Sequence, residues 1–232
     1  GAAILTAAAF ISRLLGFTYR IPYQNITGDI GLDIYNSVYP IYMTLIAIAA
    51  TGLPTAISKM VSEKAAEHDR PGALRIFRAA VYALALAGFI VFLLLFFAAP
   101  AIAGLAGDET LVLAIRSVSF AFLIVPVTSA FRGFFQGYQN MLPTAVSQVC
   151  EQTVRAVMII ASAWWLMKVT GNALYAGAAA VFGAFTGACF SLFVLLYYWQ
   201  KNGGMAEQGR ETVLRGSREE NLGALAVKIF RY

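Results

Sequence analysis

Charge is what this 232-residue sequence has least of: Asp, Glu, Lys and Arg make up 12% of it, against 59% hydrophobic residues. A soluble domain typically carries about 25% charged residues. At half that share, a water-exposed surface would be covered by contiguous apolar patches. The composition therefore excludes a soluble globule and reads as an integral membrane protein. Histidine is nearly absent as well. The single one, His68, lies in a charged stretch, which removes most His-dependent catalysis and metal chemistry. Two cysteines, Cys150 and Cys189, sit inside apolar runs, so the sequence holds neither a disulfide framework nor a CxxC metal site.

Other absences narrow the function. Asp29, Asp33, Asp69 and Asp108 all fall between the apolar runs. The two membrane aspartates of an intramembrane aspartyl protease are thus missing, and a Ser–His dyad has no membrane histidine. Neither P-loop nor GxGxxG glycine spacing occurs, and the loops are too short for glycosyl transfer. No enzyme activity, metal or cofactor is expected. The net charge is +5, but the basic residues line no polar groove. Nucleic acid is therefore not an expected partner, and the basic residues serve instead as an orientation signal.

What is abundant is hydrocarbon. Six segments are long enough to cross about 30 Å of membrane core, which takes about 20 residues: residues 2–23, 34–58, 79–105, 111–135, 144–167 and 174–199. Period-2 alternation is missing and the runs are twice the length of a barrel strand, so these are helices. The fold class expected is an all-α polytopic membrane protein with six transmembrane helices. Residues 1–200 form the six-helix lobe and 201–232 a basic cytoplasmic linker with Gly203-Gly204 and mixed charges. The opening run is too long for a signal peptide. The start inside an apolar run at Gly1 and the end at Tyr232 are expected to belong to a longer chain.

Basic residues collect at 59–78 (Lys59, Lys64, Arg70, Arg75, Arg78) and after 200 (Lys201, Arg210, Arg215, Arg218, Lys228, Arg231), whereas the alternate loops hold Asp29, Asp33, Asp108, Glu109 and one Lys168. By the positive-inside rule both ends are expected in the cytoplasm, in a multi-pass protein of the cell membrane.

Ionisable residues at membrane depth are the informative ones, since each costs about 3 kcal/mol unless it meets water or a partner. Arg13 and Arg20 are seven residues apart, on one helix face and about 10 Å apart along the axis. Their segment has no acidic residue. An anionic ligand or a water-filled cavity accounts for such a pair. Alternatively, Arg20 snorkels to the outer headgroups and Arg13 pairs with a carbonyl or with Glu151. Glu151 and Arg155 are spaced i, i+4 and read as a self-neutralising pair, with Gln148 and Gln152 adding hydrogen-bonding capacity. That set is either a polar clasp between helices or a coupling site sensitive to protons or cations. Arg116 reads as a headgroup contact. Pro54 and Pro126 weaken the local backbone ladder and are candidate hinges.

The run Ile11-Ser12-Arg13-Leu14-Leu15-Gly16-Phe17, followed by Tyr19-Arg20-Ile21-Pro22, resembles the first helix of the polysaccharide-exporter branch of the MOP (multidrug/oligosaccharidyl-lipid/polysaccharide) flippase superfamily. More narrowly it is similar to the stage V sporulation protein B group, relatives of the lipid II flippases. Tyr39-Pro40-Ile41-Tyr42, Gly52-Leu53-Pro54, Arg132-Gly133, Gln136-Gly137, Pro143-Thr144-Ala145, Ser147-Gln148, Glu151-Gln152 and Arg155 continue the likeness. The resemblance implies the N-terminal bundle of a two-lobed transporter that works by alternating access. It also implies an undecaprenyl-pyrophosphate-linked saccharide as cargo, with Arg13 and Arg20 contacting it, and membrane lipids and envelope-synthesis proteins as the other partners. The chain departs from the lipid II flippases by one residue in the spacing of Arg20, and by carrying no basic residue in Ile41-Tyr42-Met43-Thr44. Two alternatives stand beside the flippase: a cation-coupled multidrug exporter of the same superfamily, and a non-transporting membrane scaffold for envelope synthesis.

Overall fold

The computed structural model describes residues 2–47 and 52–201, and every regular element among them is a helix. In chain order these are α1 (Ala2–Thr18), α2 (Arg20–Ala47), α3 (Leu53–Ala66), α4 (Arg70–Ala106), α5 (Leu111–Ser119), α6 (Ala121–Gly137), α7 (Leu142–Thr170) and α8 (Ala173–Lys201). Their ends obey local chemistry. Asp69 caps α4 by accepting a hydrogen bond from the Gly72 N–H at 2.9 Å, and Pro71 occupies the first turn, where its missing N–H costs nothing. Gly107 and Gly171 close α4 and α7 in the left-handed conformation (φ 73° and 62°).

Five helical stretches are long and apolar enough to cross a membrane: Ala3–Thr44, Arg70–Ala106, Leu111–Gly137, Leu142–Thr170 and Ala173–Lys201. The first has 42 residues, which as one straight rod would run about 63 Å, twice the hydrocarbon thickness. It folds back on itself instead. The Tyr19 and Tyr35 hydroxyls meet at 2.6 Å, and the Tyr23 hydroxyl donates to the Gly31 carbonyl at 2.8 Å. Pairs 16 and 8 residues apart in sequence can touch only if the chain reverses between them. The reversal is at Gly28, whose φ of 66° and ψ of −167° lie in a region that is essentially glycine-only. With its two limbs counted separately, this hairpin brings the candidate crossing segments among the described residues to six. The Gln24–Asp33 connection that the sequence suggests as a polar loop is thus compressed into one glycine between two helices.

Three further boundaries differ from the sequence expectation. The second span, expected to be continuous over 34–58, is α2 up to Ala47 and a separate α3 from Leu53, residues 48–51 lying outside the described set. Pro54 consequently stands in the first turn of α3. The basic residues expected in a 59–78 loop are helical: Lys59 and Lys64 on α3, Arg70, Arg75 and Arg78 on α4, leaving Glu67–Asp69 as the turn. Residues 111–135 divide at Phe120 into α5 and α6, although Phe120 keeps right-handed helical dihedrals (φ −58°, ψ −29°) and the two run on as one stretch to Gly137. The linker expected over 201–232 lies outside the described residues apart from Lys201.

Two apolar cores hold the bundle. One packs Ile34, Val38 and Tyr42 of α2 with Ile115, Val118, Phe122, Ile159 and the alanine face of α8. The other packs Ile57 and Val61 of α3 with Phe77, Phe131 and Phe134, and Trp199 stacks on Phe77 with centroids 4.8 Å apart. Outward-facing Phe10, Phe17, Leu86, Leu94, Phe97 and Phe193 are exposed, as a lipid-facing surface requires.

Candidate functional site

A charge inside an apolar helix must find a counter-charge or water, and Arg132, Glu151 and Arg155 solve this together. All three are buried, at 7%, 8% and 5% exposure. Glu151 of α7 accepts from the Arg132 guanidinium of α6 at 2.7 Å on one oxygen, and from Arg155, one turn along α7, at 3.0 Å on the other. Arg132 also donates to the Ser147 hydroxyl at 3.1 Å and to the Ser191 hydroxyl of α8 at 2.8 Å. Arg155 donates to the Tyr42 hydroxyl of α2 at 2.8 Å and lies over that ring at 5.4 Å. Four helices are tied at one point. Small residues make the approach feasible: a side chain at Gly187 of α8 would run into the Glu151 carbonyl at 2.7 Å.

These three charged residues form part of the wall of a cavity of about 340 Å³. Arg13 of α1 lines the same cavity, as do Ser12, Tyr39, Tyr42, Gln148 and Gln152. The cavity wall therefore holds three guanidiniums and one carboxylate. Arg13 makes no ion pair with any described residue, and the buried Ser12 hydroxyl and the Arg155 Nε have no hydrogen-bond partner among them. The wall is electropositive, and its cation on α1 is uncommitted.

The structure thus brings Arg13, Gln148, Glu151 and Arg155 to one cavity. Arg20, the first residue of α2, is exposed and is not part of that wall. Of the two prolines, Pro54 begins α3, whereas Pro126 is buried inside α6. Pro126 cannot donate to the Phe122 carbonyl, and Gly88 of α4 sits against that oxygen. Arg116 donates its Nε to the Phe96 carbonyl at 3.3 Å. Sequence reasoning singles out Glu151 and Arg155 by their spacing and passes over Arg132, whose partners are 15, 19 and 59 residues away. The available signal was its own position, a lone cation in Ala121–Gly137. Among the described residues no three His, Cys, Asp or Glu side chains cluster as a metal site would need.

The family model for polysaccharide biosynthesis proteins matches residues 1–219. The chain belongs to the polysaccharide biosynthesis protein family. Its curated relatives in Bacillus subtilis (strain 168) include the uncharacterized membrane protein YabM, 35% identical over 201 residues, the lipid II flippase MurJ, 37% identical over 214, and stage V sporulation protein B, 33% identical over 199. These alignments cover 87%, 88% and 84% of this chain but only 37%, 39% and 38% of the relatives. The chain spans less than two-fifths of their length. Among solved structures, MATE in complex with MaD3S aligns with TM-score 0.73 at 14% identity, over 98% of this chain and 52% of that one. A MOP superfamily transporter from Pyrococcus furiosus aligns with TM-score 0.64 at 16% identity, over 85% and 44%. The helical bundle of this family member is thus that of the MATE and MOP transporters.

Proposed function

We propose that the chain is the N-terminal lobe of a flippase or exporter that moves a lipid-linked saccharide of the undecaprenyl-pyrophosphate type across the cell membrane by alternating access. The observation that carries this reading is the cavity wall: three arginines against one carboxylate, with Arg13 uncommitted. A pyrophosphate concentrates negative charge on oxygens that guanidinium forks hold in bidentate fashion. In a partly dehydrated cavity that attraction exceeds its strength at an exposed surface. MurJ, a relative at 37% identity, is a lipid II flippase, which supports the substrate class.

The cation-coupled drug exporter is less well supported. Among the described residues Glu151 is the one carboxylate on the cavity wall, both its oxygens already pair with guanidinium, and three arginines outweigh its charge, which disfavours a cationic cargo. The protein is read as a transporter and not an enzyme, and the lobe is read with the α3–α4 turn and the end of α8 in the cytoplasm, where Lys59, Lys64, Arg70, Arg75 and Arg78 satisfy the positive-inside rule. The test uses the purified full-length protein in vesicles with a fluorescent undecaprenyl-pyrophosphate-linked saccharide on one leaflet. Passage of that lipid, with no movement of an apolar organic cation, is expected. Movement of the cation alone would replace this reading with the drug exporter.

A further inference from the structure

Polar side chains without a protein partner are costly inside a membrane helix, and α7 has two of them on the cavity wall. Gln148 and Gln152 are one turn apart and half-buried. They share a face with Glu151 and Arg155, whose hydrogen bonds go to each other, Arg132 and Tyr42. Neither glutamine amide hydrogen-bonds a described residue. Tyr39 of α2 lines the same cavity. Its ring stacks on Tyr35 with centroids 5.2 Å apart and planes at 23°, while its hydroxyl has no partner among the described residues. These three groups are uncharged, preset by their helices and unused by the packing.

We propose that Gln148, Gln152 and Tyr39 form a subsite for the uncharged, hydroxyl-rich part of the cargo, beside the guanidinium side of the same cavity. The inference rests on the lipid-linked saccharide reading and adds the residues that separate a glycosylated lipid pyrophosphate from a bare one. A primary amide offers two donors and an acceptor, which match a sugar hydroxyl that both donates and accepts. The arginines can only donate, and Glu151 can only accept, with both its oxygens already paired to guanidinium. A site built to hydrogen-bond hydroxyls discriminates against a ligand lacking them, because its polar groups are then left unpaired. At about 340 Å³ the cavity is at the small end of ligand pockets, which run about 300–1,000 Å³. That volume suits a sugar unit and its phosphate.

The experiment measures binding of two probes to the full-length protein in detergent: undecaprenyl pyrophosphate, and undecaprenyl-pyrophosphoryl-N-acetylglucosamine. Wild type should bind the glycosylated probe more tightly. The Gln148→Leu/Gln152→Leu variant should lose about tenfold in affinity for the glycosylated probe, the worth of two neutral hydrogen bonds, and keep its affinity for the bare one. Leucine at membrane depth favours folding, and the retained bare-probe affinity certifies the variant. Tyr39→Ala should act in the same direction, and Arg13→Ala should weaken both probes. If the double variant binds both probes as wild type does, or weakens both equally, the subsite is wrong while the anion cavity stands. If wild type binds neither probe, the lipid-linked saccharide reading falls and the subsite with it.

Discussion

Replacing Glu151 by Gln preserves shape and removes the only carboxylate that Arg132 and Arg155 share, at 2.7 Å and 3.0 Å. Two guanidiniums, 7% and 5% exposed, would then face a neutral amide. Removing one partner from a buried ion pair costs about 3–5 kcal/mol, most of it from leaving the other charge uncompensated. At about 2–4 °C per kcal/mol for a chain of this size, the melting temperature should fall by about 10 °C. The structure also says which second change rescues. Arg132 keeps the Ser147 and Ser191 hydroxyls at 3.1 Å and 2.8 Å whatever stands at 151. Arg155 keeps only Tyr42. Adding Arg155→Leu to Glu151→Gln should therefore recover part of the loss by deleting the less well-held charge. Size-exclusion chromatography after stepwise heating in detergent measures both variants. A Glu151→Gln protein melting within about 2 °C of wild type, or no recovery in the double variant, would refute the clasp.

Topology is testable with single cysteines in a background with Cys150 and Cys189 changed to Ser. Glu109→Cys should react with an impermeant maleimide on intact cells and Glu67→Cys only after permeabilisation, because the two turns cap opposite ends of α4. Gly28→Ala should destabilise by about 1–3 kcal/mol through backbone strain alone, since no atom lies within 4 Å of the added Cβ. Gly16→Ala, equally uncrowded and without a positive φ, should melt as wild type does, and equal melting of the two variants would remove Gly28 as the reversal point.

Much of this fold was legible in the sequence because a membrane demands long apolar helices and tolerates little else. The cores of α4, α7 and α8 fall within the runs read as spans, for that reason. The boundaries were not legible where the polar code and the backbone code disagree. Lys59, Lys64, Arg70, Arg75 and Arg78 look like loop residues because they are charged, yet they extend α3 and α4 beyond the apolar stretch. Gln24–Asp33 looks like a loop for the same reason, and glycine at one position is enough to turn it. For the site, Glu151–Arg155 could be read from an i, i+4 spacing, whereas Arg132 meets its partners only through the packing of α6 on α7 and α8. The seven-residue spacing of Arg13 and Arg20 suggests one shared face, but only Arg13 lines the cavity and Arg20 lies outside its wall.

If this cavity holds an anionic cargo, Arg13 is the side chain on which transport should depend most. Full-length proteins with Arg13→Ala, Arg13→Lys or Arg20→Ala are compared with wild type in vesicles, at matched protein level, for movement of an undecaprenyl-pyrophosphate-linked saccharide. Both arginines are exposed, but Arg13 lines the cavity without an ion-pair partner among the described residues, and Arg20 lies outside it. Arg13→Ala should abolish movement, Arg13→Lys should retain a fraction because a point charge lacks the guanidinium fork, and Arg20→Ala should weaken it less. Movement at the wild-type rate in Arg13→Ala would rule out an anion site at Arg13 and leave it as a residue that only snorkels to the membrane surface.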